Sequence, residues 1–292
     1  MLLAVEPASA TPSSTNQPPF PPEPNSATLS VELAGLTLRV NLPEVNYGSS
    51  DTGLRLWVGG LLLSSFLAER GSEFLGGRSV LELGCGVAPL PIAVAASRGA
   101  GECQATDYSE SIVGFAEANL ALNGIDRVVS AVLDWDKVVS AAASGAVVRK
   151  WDVVLFADTV YTEEMGTLLA ECIDAVLAPE GQVLGALPPL RVGTAEFVLM
   201  MRKHGFAAEE LECSQVLKDA IDDSSILESD SLKGEALLDV IHGRPVAQCV
   251  MVRWRRGPVE KDDSQKIWSY LAGIMAQADL SIKMSEGFEV WE

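Results

Sequence analysis

From Arg78 onward one pattern recurs: a short apolar run, a turn carrying Gly or Asp, then a stretch of helix length. The runs read SVLEL, ECQAT, RVVSAVL, WDVVLFA and QVLGAL. The helix-length stretches run through Arg98, then over 109–123, 163–177 and 193–204. Parallel strands cannot be joined by a tight hairpin and need a long crossover, so this alternation predicts βαβ units around a parallel sheet. The expected class is α/β, with helices on both faces of the sheet.

The flanks read differently. Residues 1–27 are rich in Pro, Ser, Thr and Ala and hold too little apolar surface to offset ordering entropy, so they are expected to be disordered. SVELAGLTLRV then has two short apolar runs around Ala34-Gly35, the pattern of a β-hairpin. Residues 53–70 form an apolar helix candidate. After the alternating region, 206–213 and 246–254 read as two strands separated by an acidic stretch, 218–239, expected to be a mobile insertion. Residues 258–292 read as a tail with an amphipathic helix at 265–278. The expected organisation is thus a disordered segment at 1–27, one domain at 28–257 and a tail at 258–292.

Charge and composition narrow the function. A net charge of −19 and the lack of a basic stripe argue against nucleic acid, whose phosphates must be neutralised. An acidic surface can attract basic protein partners at long range; the rival reading is that the charge only aids solubility. The five cysteines, Cys85, Cys103, Cys172, Cys213 and Cys249, are scattered without a CxxC pair. They read as reduced thiols rather than as a disulfide framework or zinc site. The two histidines, His204 and His242, are too far apart for ligand spacing, so no metal is expected. No apolar run reaches the ~18 residues of a membrane span. No Lys or Arg precedes Arg39, which fits neither a signal nor a transit peptide. The expectation is a monomer in the cytoplasm, and also the nucleus, without a membrane partner.

The first strand of the alternating region ends in Glu82-Leu83-Gly84-Cys85-Gly86, within VLELGCGVAPLPI at 80–92. Glycines there permit positive φ and a close ligand approach. Ligands of open α/β sheets bind beyond the carboxyl ends of the strands, so the place suits a nucleotide-like cofactor. Val87-Ala88-Pro89 lacks the third glycine of a dinucleotide fingerprint, and the GK[ST] of a phosphate loop is missing too. Glu82 can hold the turn or a cofactor amino group. Asp107 closes the second strand, where a carboxylate can accept from both ribose hydroxyls; a helix cap is the rival role, with Ser109 as the alternative cap. Asp134-Trp135 follows the third strand, and the Trp135 indole can stack on adenine or serve the core. Ala157-Asp158-Thr159-Val160-Tyr161 follows the fourth.

Taken in order, these motifs resemble the seven-β-strand protein lysine methyltransferases known as methyltransferase family 16. The resemblance runs from about Leu56 to Phe206, through the Trp57 helix, VLELGCG, TDYSESIV…ANLALNG, LDW and WDVVLFADTVY. It implies a Rossmann-like class I fold of seven strands, mostly parallel with an antiparallel last strand, and S-adenosyl-L-methionine as cofactor. By resemblance Trp57, Glu82, Gly84, Cys85, Gly86, Asp107, Trp135 and Ala157 contact the cofactor, and Asp158 and Tyr161 shape the lysine entrance. Ala88 and Pro91 stand where the family usually has Gly; Pro91 is compatible with the first turn of a helix. The implied acceptor is a lysine of a non-histone protein, basic in character or a chaperone or translation factor. Two alternatives remain open on the sequence: methylation of a histidine, another protein side chain or a small molecule, and a non-catalytic module that keeps the fold.

Overall fold

The computed structural model describes residues 27–43, 52–188, 191–229, 232, 241–242, 246 and 249–257. The expected disordered segment, apart from Ala27, and the expected tail helix at 265–278 lie outside the described residues.

The described residues begin with a hairpin of β1 (Ala27–Leu33) and β2 (Leu36–Leu42). Its turn has Ala34 at φ 44 and Gly35 at φ 80. Two positive φ values in a two-residue connection match the right-handed twist of the paired strands. A 3₁₀ turn over Thr52–Leu54 and a short β3 (Leu56–Trp57) lead into α1 (Val58–Arg70). The helix therefore starts later than the apolar run at 53–70 predicts. Long-range bonds divert the first residues: Val87 N–H donates to Gly53 O (2.9 Å), and Trp57 Nε1 donates to Thr52 O (2.9 Å). Almost every residue of α1 is buried, as expected of a helix that is apolar all round.

The alternating region then folds as β4 (Val80–Leu83), α2 (Leu90–Ser97), β5 (Cys103–Asp107), α3 (Glu110–Leu122), β6 (Val128–Val132), α4 (Trp135–Ala143), β7 (Trp151–Ala157), α5 (Glu163–Val176), β8 (Leu177–Leu187) and α6 (Thr194–Lys203). It is completed by β9 (Phe206–Glu210), α7 (Gln215–Asp222), β10 (Leu227–Ser229), β11 (Ile241–His242) and β12 (Val250–Arg256). Helix starts follow local chemistry. Pro91 lies in the first turn of α2, where an N–H has no helical partner. Thr162 accepts from Met165 N–H at the start of α5. Asp134 caps α4, a helix the sequence pattern does not single out.

The main sheet has seven strands in the order β6-β5-β4-β7-β8-β12-β9. β6 through β8 are mutually parallel, and β12 is antiparallel to both neighbours. This is the expected Rossmann-like class I arrangement. β4 and β5 are buried along their whole length, as parallel strands covered on both faces must be. One apolar core joins the hairpin, α1, α2 and α3 to one face of the sheet; the other joins α5 and α6 to the opposite face. The order reverses between β4 and β7, so the crevice for a ligand opens at the carboxyl ends of those strands.

One expectation is corrected. The acidic stretch is not a free excursion where it is described. α7 packs against α1, and β10 pairs antiparallel with β1 to make a second sheet, β10-β1-β2. Ile221, Ile226 and Leu227 are buried, and their apolar surface is what fastens the segment down. β11 pairs in parallel with β3, so the returning chain runs alongside Leu56–Trp57.

Candidate active site

The turn after β4 carries Gly84 at φ 70 and Gly86 at φ 60. Each glycine is needed twice, once for its φ and once for space. A Cβ on Gly84 would meet Thr159 Cγ2 at 2.5 Å, and one on Gly86 would meet Gly53 O at 3.1 Å. Asp107 ends β5 beside this turn: its Oδ2 accepts from Gly86 N–H (3.1 Å) and its Oδ1 from Ser109 N–H (3.4 Å). Ser109 occupies the cap position of α3, but its hydroxyl bonds Ser111 rather than the helix backbone. Trp135 reaches Gly84 from the far side, its ring edge 3.7 Å from where a Cβ would stand.

Glu82 and Cys85 face inward. Glu82 Oε2 accepts from Ile92 N–H (3.2 Å), which ties β4 to the first turn of α2. Burial pushes the Glu82 carboxyl up to about 8; the nearby Asp107 charge adds to this, and the Ile92 N–H opposes it. The Cys85 thiol, which donates to Gly86 O (3.4 Å), is likewise pushed well above its ordinary range by burial.

Two features here escape a motif reading. Tyr108, next to Asp107, is 72% exposed, an unusual state for a large ring. Thr159 is buried, and among the described residues its Oγ1 has no hydrogen-bond partner. These residues fit the adenosyl group that the resemblance implies. They offer a carboxylate for ribose hydroxyls, ring faces for a base, and a buried hydroxyl that lacks a partner.

The second cluster follows β7. Ala157 ends the strand, and Asp158 adopts φ 57, which is rare for a residue with a side chain. Asp158 is 2% exposed. Its Oδ2 accepts from Gly59 N–H (2.5 Å), capping α1, whose own cap residue Trp57 offers no side-chain bond. A carboxylate is favoured there by the free N–H groups and the helix dipole. Its Oδ1 lies 2.8 Å from the Arg191 guanidinium, which also donates to Asp158 O (3.0 Å). Burial pushes the Asp158 carboxyl up, and Arg191 and the Gly59 N–H pull it back.

Arg191 completes a cage. Its guanidinium carbon sits 4.7 Å from the Trp57 ring centroid and 4.9 Å from that of Tyr161. The two rings meet edge-on, with centroids 5.8 Å apart. Burial pushes the Tyr161 phenol up to about 12, although Arg191 and a hydrogen bond with the Thr52 side chain oppose the shift. Trp57 therefore stands in the cage with Tyr161. The Thr52–Leu54 turn links the two clusters: Gly53 O takes the Val87 N–H beyond the glycine turn, while Thr52 holds Trp57 and Tyr161. Sequence reasoning singles out neither Arg191 nor this turn.

Among the described residues no group of His, Cys, Asp or Glu is arranged to hold a metal ion, and no helix is long and apolar enough to cross a membrane.

Comparison with known proteins adds the following. A family model described as lysine methyltransferase matches residues 39–204. The protein-lysine N-methyltransferase EFM3 of Chaetomium thermophilum is 36% identical over 120 residues, 39% of this chain and 35% of that protein. The match thus spans little more than a third of that relative. A structure described as a SAM-dependent methyltransferase from Streptococcus mutans aligns over 78% of this chain and 55% of its own, at 15% identity and a TM-score of 0.51. Another methyltransferase structure, complexed with S-adenosylhomocysteine, aligns over 80% and 56%, at 13% identity and a TM-score of 0.50. At those identities the likeness is one of fold.

Proposed function

The chain belongs to the lysine methyltransferase family, and on that premise we propose that it is an S-adenosyl-L-methionine-dependent protein-lysine N-methyltransferase acting on a non-histone protein. The observation that carries the reading is the placement of two sites side by side at the carboxyl ends of the central strands. The Gly84–Gly86 turn with Asp107 lies beside a cage of Asp158, Tyr161 and Trp57, and the Thr52–Leu54 turn bridges them.

In this reading Asp107 accepts from the ribose hydroxyls, Tyr108 and Trp135 offer ring faces to adenine, and Thr159 Oγ1 gains the partner it lacks. Glu82 shapes the turn from within by holding Ile92. Gly84, Cys85, Gly86 and Ala157 supply backbone at the cofactor's edge, and Trp57 stands where the two sites meet. When bound, S-adenosyl-L-methionine supplies a methyl group on an already activated sulfonium. The protein's task is then alignment and exclusion of water, which can supply roughly 7–11 kcal/mol of the barrier.

The acceptor amine must be neutral to attack. Freeing a lysine of ordinary pKa ~10.4 from its proton costs about 4–5 kcal/mol at neutral pH. Tyr161, raised to about 12, stays a neutral phenol and does not take that proton. At rest the Asp158 carboxylate accepts from Gly59 N–H and pairs with Arg191, so it holds a cation in place. These residues therefore orient the amine, and the proton leaves to solvent. The substrate is read as a protein with a basic surface, such as a chaperone or translation factor. The net charge of −19 supports a basic partner, and the name of the Chaetomium relative supports a protein lysine as the acceptor. The five free cysteines support a reducing compartment, cytoplasm or nucleus.

Calorimetry with S-adenosylhomocysteine tests the cofactor half of the reading. The wild-type chain is expected to bind one equivalent, and Asp107→Ala to bind about tenfold or more weakly, since a charged hydrogen bond to ribose is worth about 1.5–3 kcal/mol. Failure of the wild type to bind S-adenosylhomocysteine or S-adenosylmethionine rejects the reading.

A further inference from the structure

The cage that would receive the acceptor lysine already contains a cation of this chain. The Arg191 guanidinium touches the faces of Trp57 and Tyr161 and pairs with Asp158. An acceptor ammonium would seek the same three partners, two ring faces and a carboxylate. Resting on the reading of Asp158 and Tyr161 as the lysine entrance, we propose that Arg191 is the resident cation of the acceptor cage. It is exchanged for the acceptor's ammonium, and it thereby determines which acceptors can enter.

Exchange, rather than a fixed structural role, follows from how the cage is held. Each of its members has an anchor that does not involve Arg191. Trp57 Nε1 donates to Thr52 O, Tyr161 bonds the Thr52 side chain, and Asp158 accepts from Gly59 N–H. The cage therefore keeps its shape when the guanidinium leaves. Among the described residues the Arg191 side chain meets the cage itself: it donates to Asp158 O, pairs with the Asp158 carboxylate, hydrogen-bonds Tyr161 and stacks on the two rings. It is 16% exposed, against 1% for the Asp158 side chain, so it lies on the solvent side of the carboxylate. Its neighbour Val192 is 64% exposed. Swapping one cation for another leaves the charge balance of Asp158 intact, so the buried carboxylate is never left alone.

The consequence is selection. A resident competitor lowers the apparent affinity of any incoming amine by the fraction of cages that are vacant. A free amine has nothing else with which to offset that competition. A lysine on a folded protein does, because contacts elsewhere on the surface contribute binding energy. Arg191 thus excludes small amines and admits docked protein lysines, a specificity gained from a competing internal contact.

The test uses n-butylammonium, which reproduces the four-carbon stem and charge of a lysine side chain. Its binding to the full chain in saturating S-adenosylhomocysteine is followed by saturation-transfer NMR. Arg191→Met and Arg191→Ala are expected to bind it at a concentration about tenfold or more below that of the wild type. Arg191→Lys, which keeps a cation on the chain, is expected to retain the wild-type weakness. Adding Asp158→Asn to Arg191→Met should abolish the gain. Should Arg191→Ala fail to fold, Arg191→Met and Arg191→Lys carry the comparison. No gain in folded Arg191→Met, or an equal gain in Arg191→Lys, overturns the proposal. If the gain is absent while S-adenosylhomocysteine still binds, the Arg191 inference fails and the methyltransferase reading stands. If the wild type does not bind S-adenosylhomocysteine, that reading fails, and the same titrations without it decide the role of Arg191.

Discussion

At the scale of single residues, two buried carboxylates have opposite roles. Asp158 is held as a partner to α1 and to Arg191. Asp158→Ala removes the cap of α1 and strands the guanidinium, and is expected to cost about 3–5 kcal/mol in chemical unfolding. Asp158→Asn keeps an oxygen for the Gly59 N–H and should lose less. Glu82, by contrast, is a carboxyl raised to about 8 from its ordinary 4.5. The folded state holds this proton more tightly than the unfolded state. The contribution of Glu82 to stability is therefore full below about 4.5 and is lost as pH rises toward 8, by at most about 1.4 kcal/mol per pH unit. Urea unfolding of the wild type and Glu82→Gln between pH 5 and 9 checks this. The difference between the two should shift against the wild type up to pH ~8 and then level off. A difference independent of pH would mean that Glu82 is charged in the fold. Of these residues, Glu82, Gly84, Gly86, Asp107 and Asp158 are legible in the sequence because they punctuate the ends of apolar runs. Arg191 is not. It sits in the sequence PPLRVG, where no periodicity assigns a face and a lone arginine reads as solvated.

At the scale of elements, the hairpin and the cofactor turn share a fastening. Asn119 of α3 is buried; its Oδ1 accepts from Asn41 N–H (2.7 Å), and its Nδ2 donates to Asn41 O (3.0 Å) and Val87 O (2.7 Å). Asn123 makes a similar pair of bonds with the Arg39 backbone. Asn119→Ala leaves buried backbone groups unpaired at β2 and beside the glycine turn. Each such group costs about 1–3 kcal/mol. Thermal melting should show the loss, and S-adenosylhomocysteine should bind more weakly because the Val87 end of the turn is released. Unchanged melting and binding would mean that the hairpin is only an appendage. The parallel strands were legible because their buried runs are bounded by Gly and Asp. The described part of the acidic stretch, 218–229, is not legible as packed structure because β10 is only Leu227–Ser229 and finds its partner in β1, far away in sequence. A strand that short has no period of its own, and its pairing is set by distant partners.

At the scale of the whole molecule, the glycine turn and the Arg191 cage both lie at the carboxyl ends of central strands, and segments outside the alternating core pack alongside them. β11 runs beside Trp57, and Asp222 at the end of α7 accepts from Val246 N–H (2.7 Å) shortly before β12. The cofactor turn could be inferred from a local motif. The wall on the acceptor side could not, because it is assembled from Thr52, Arg191 and the returning chain, which are distant in sequence. If these sites move a methyl group from S-adenosyl-L-methionine to a protein lysine, the transfer can be followed by incubating the purified chain with methyl-labelled cofactor and a cell lysate and identifying the modified residue by mass spectrometry. Label is expected on the ε-nitrogen of a lysine in a discrete protein, and is expected to be lost with Asp107→Ala. Label on a histidine or a small molecule, or no transfer by a chain that binds the cofactor, would contradict that expectation.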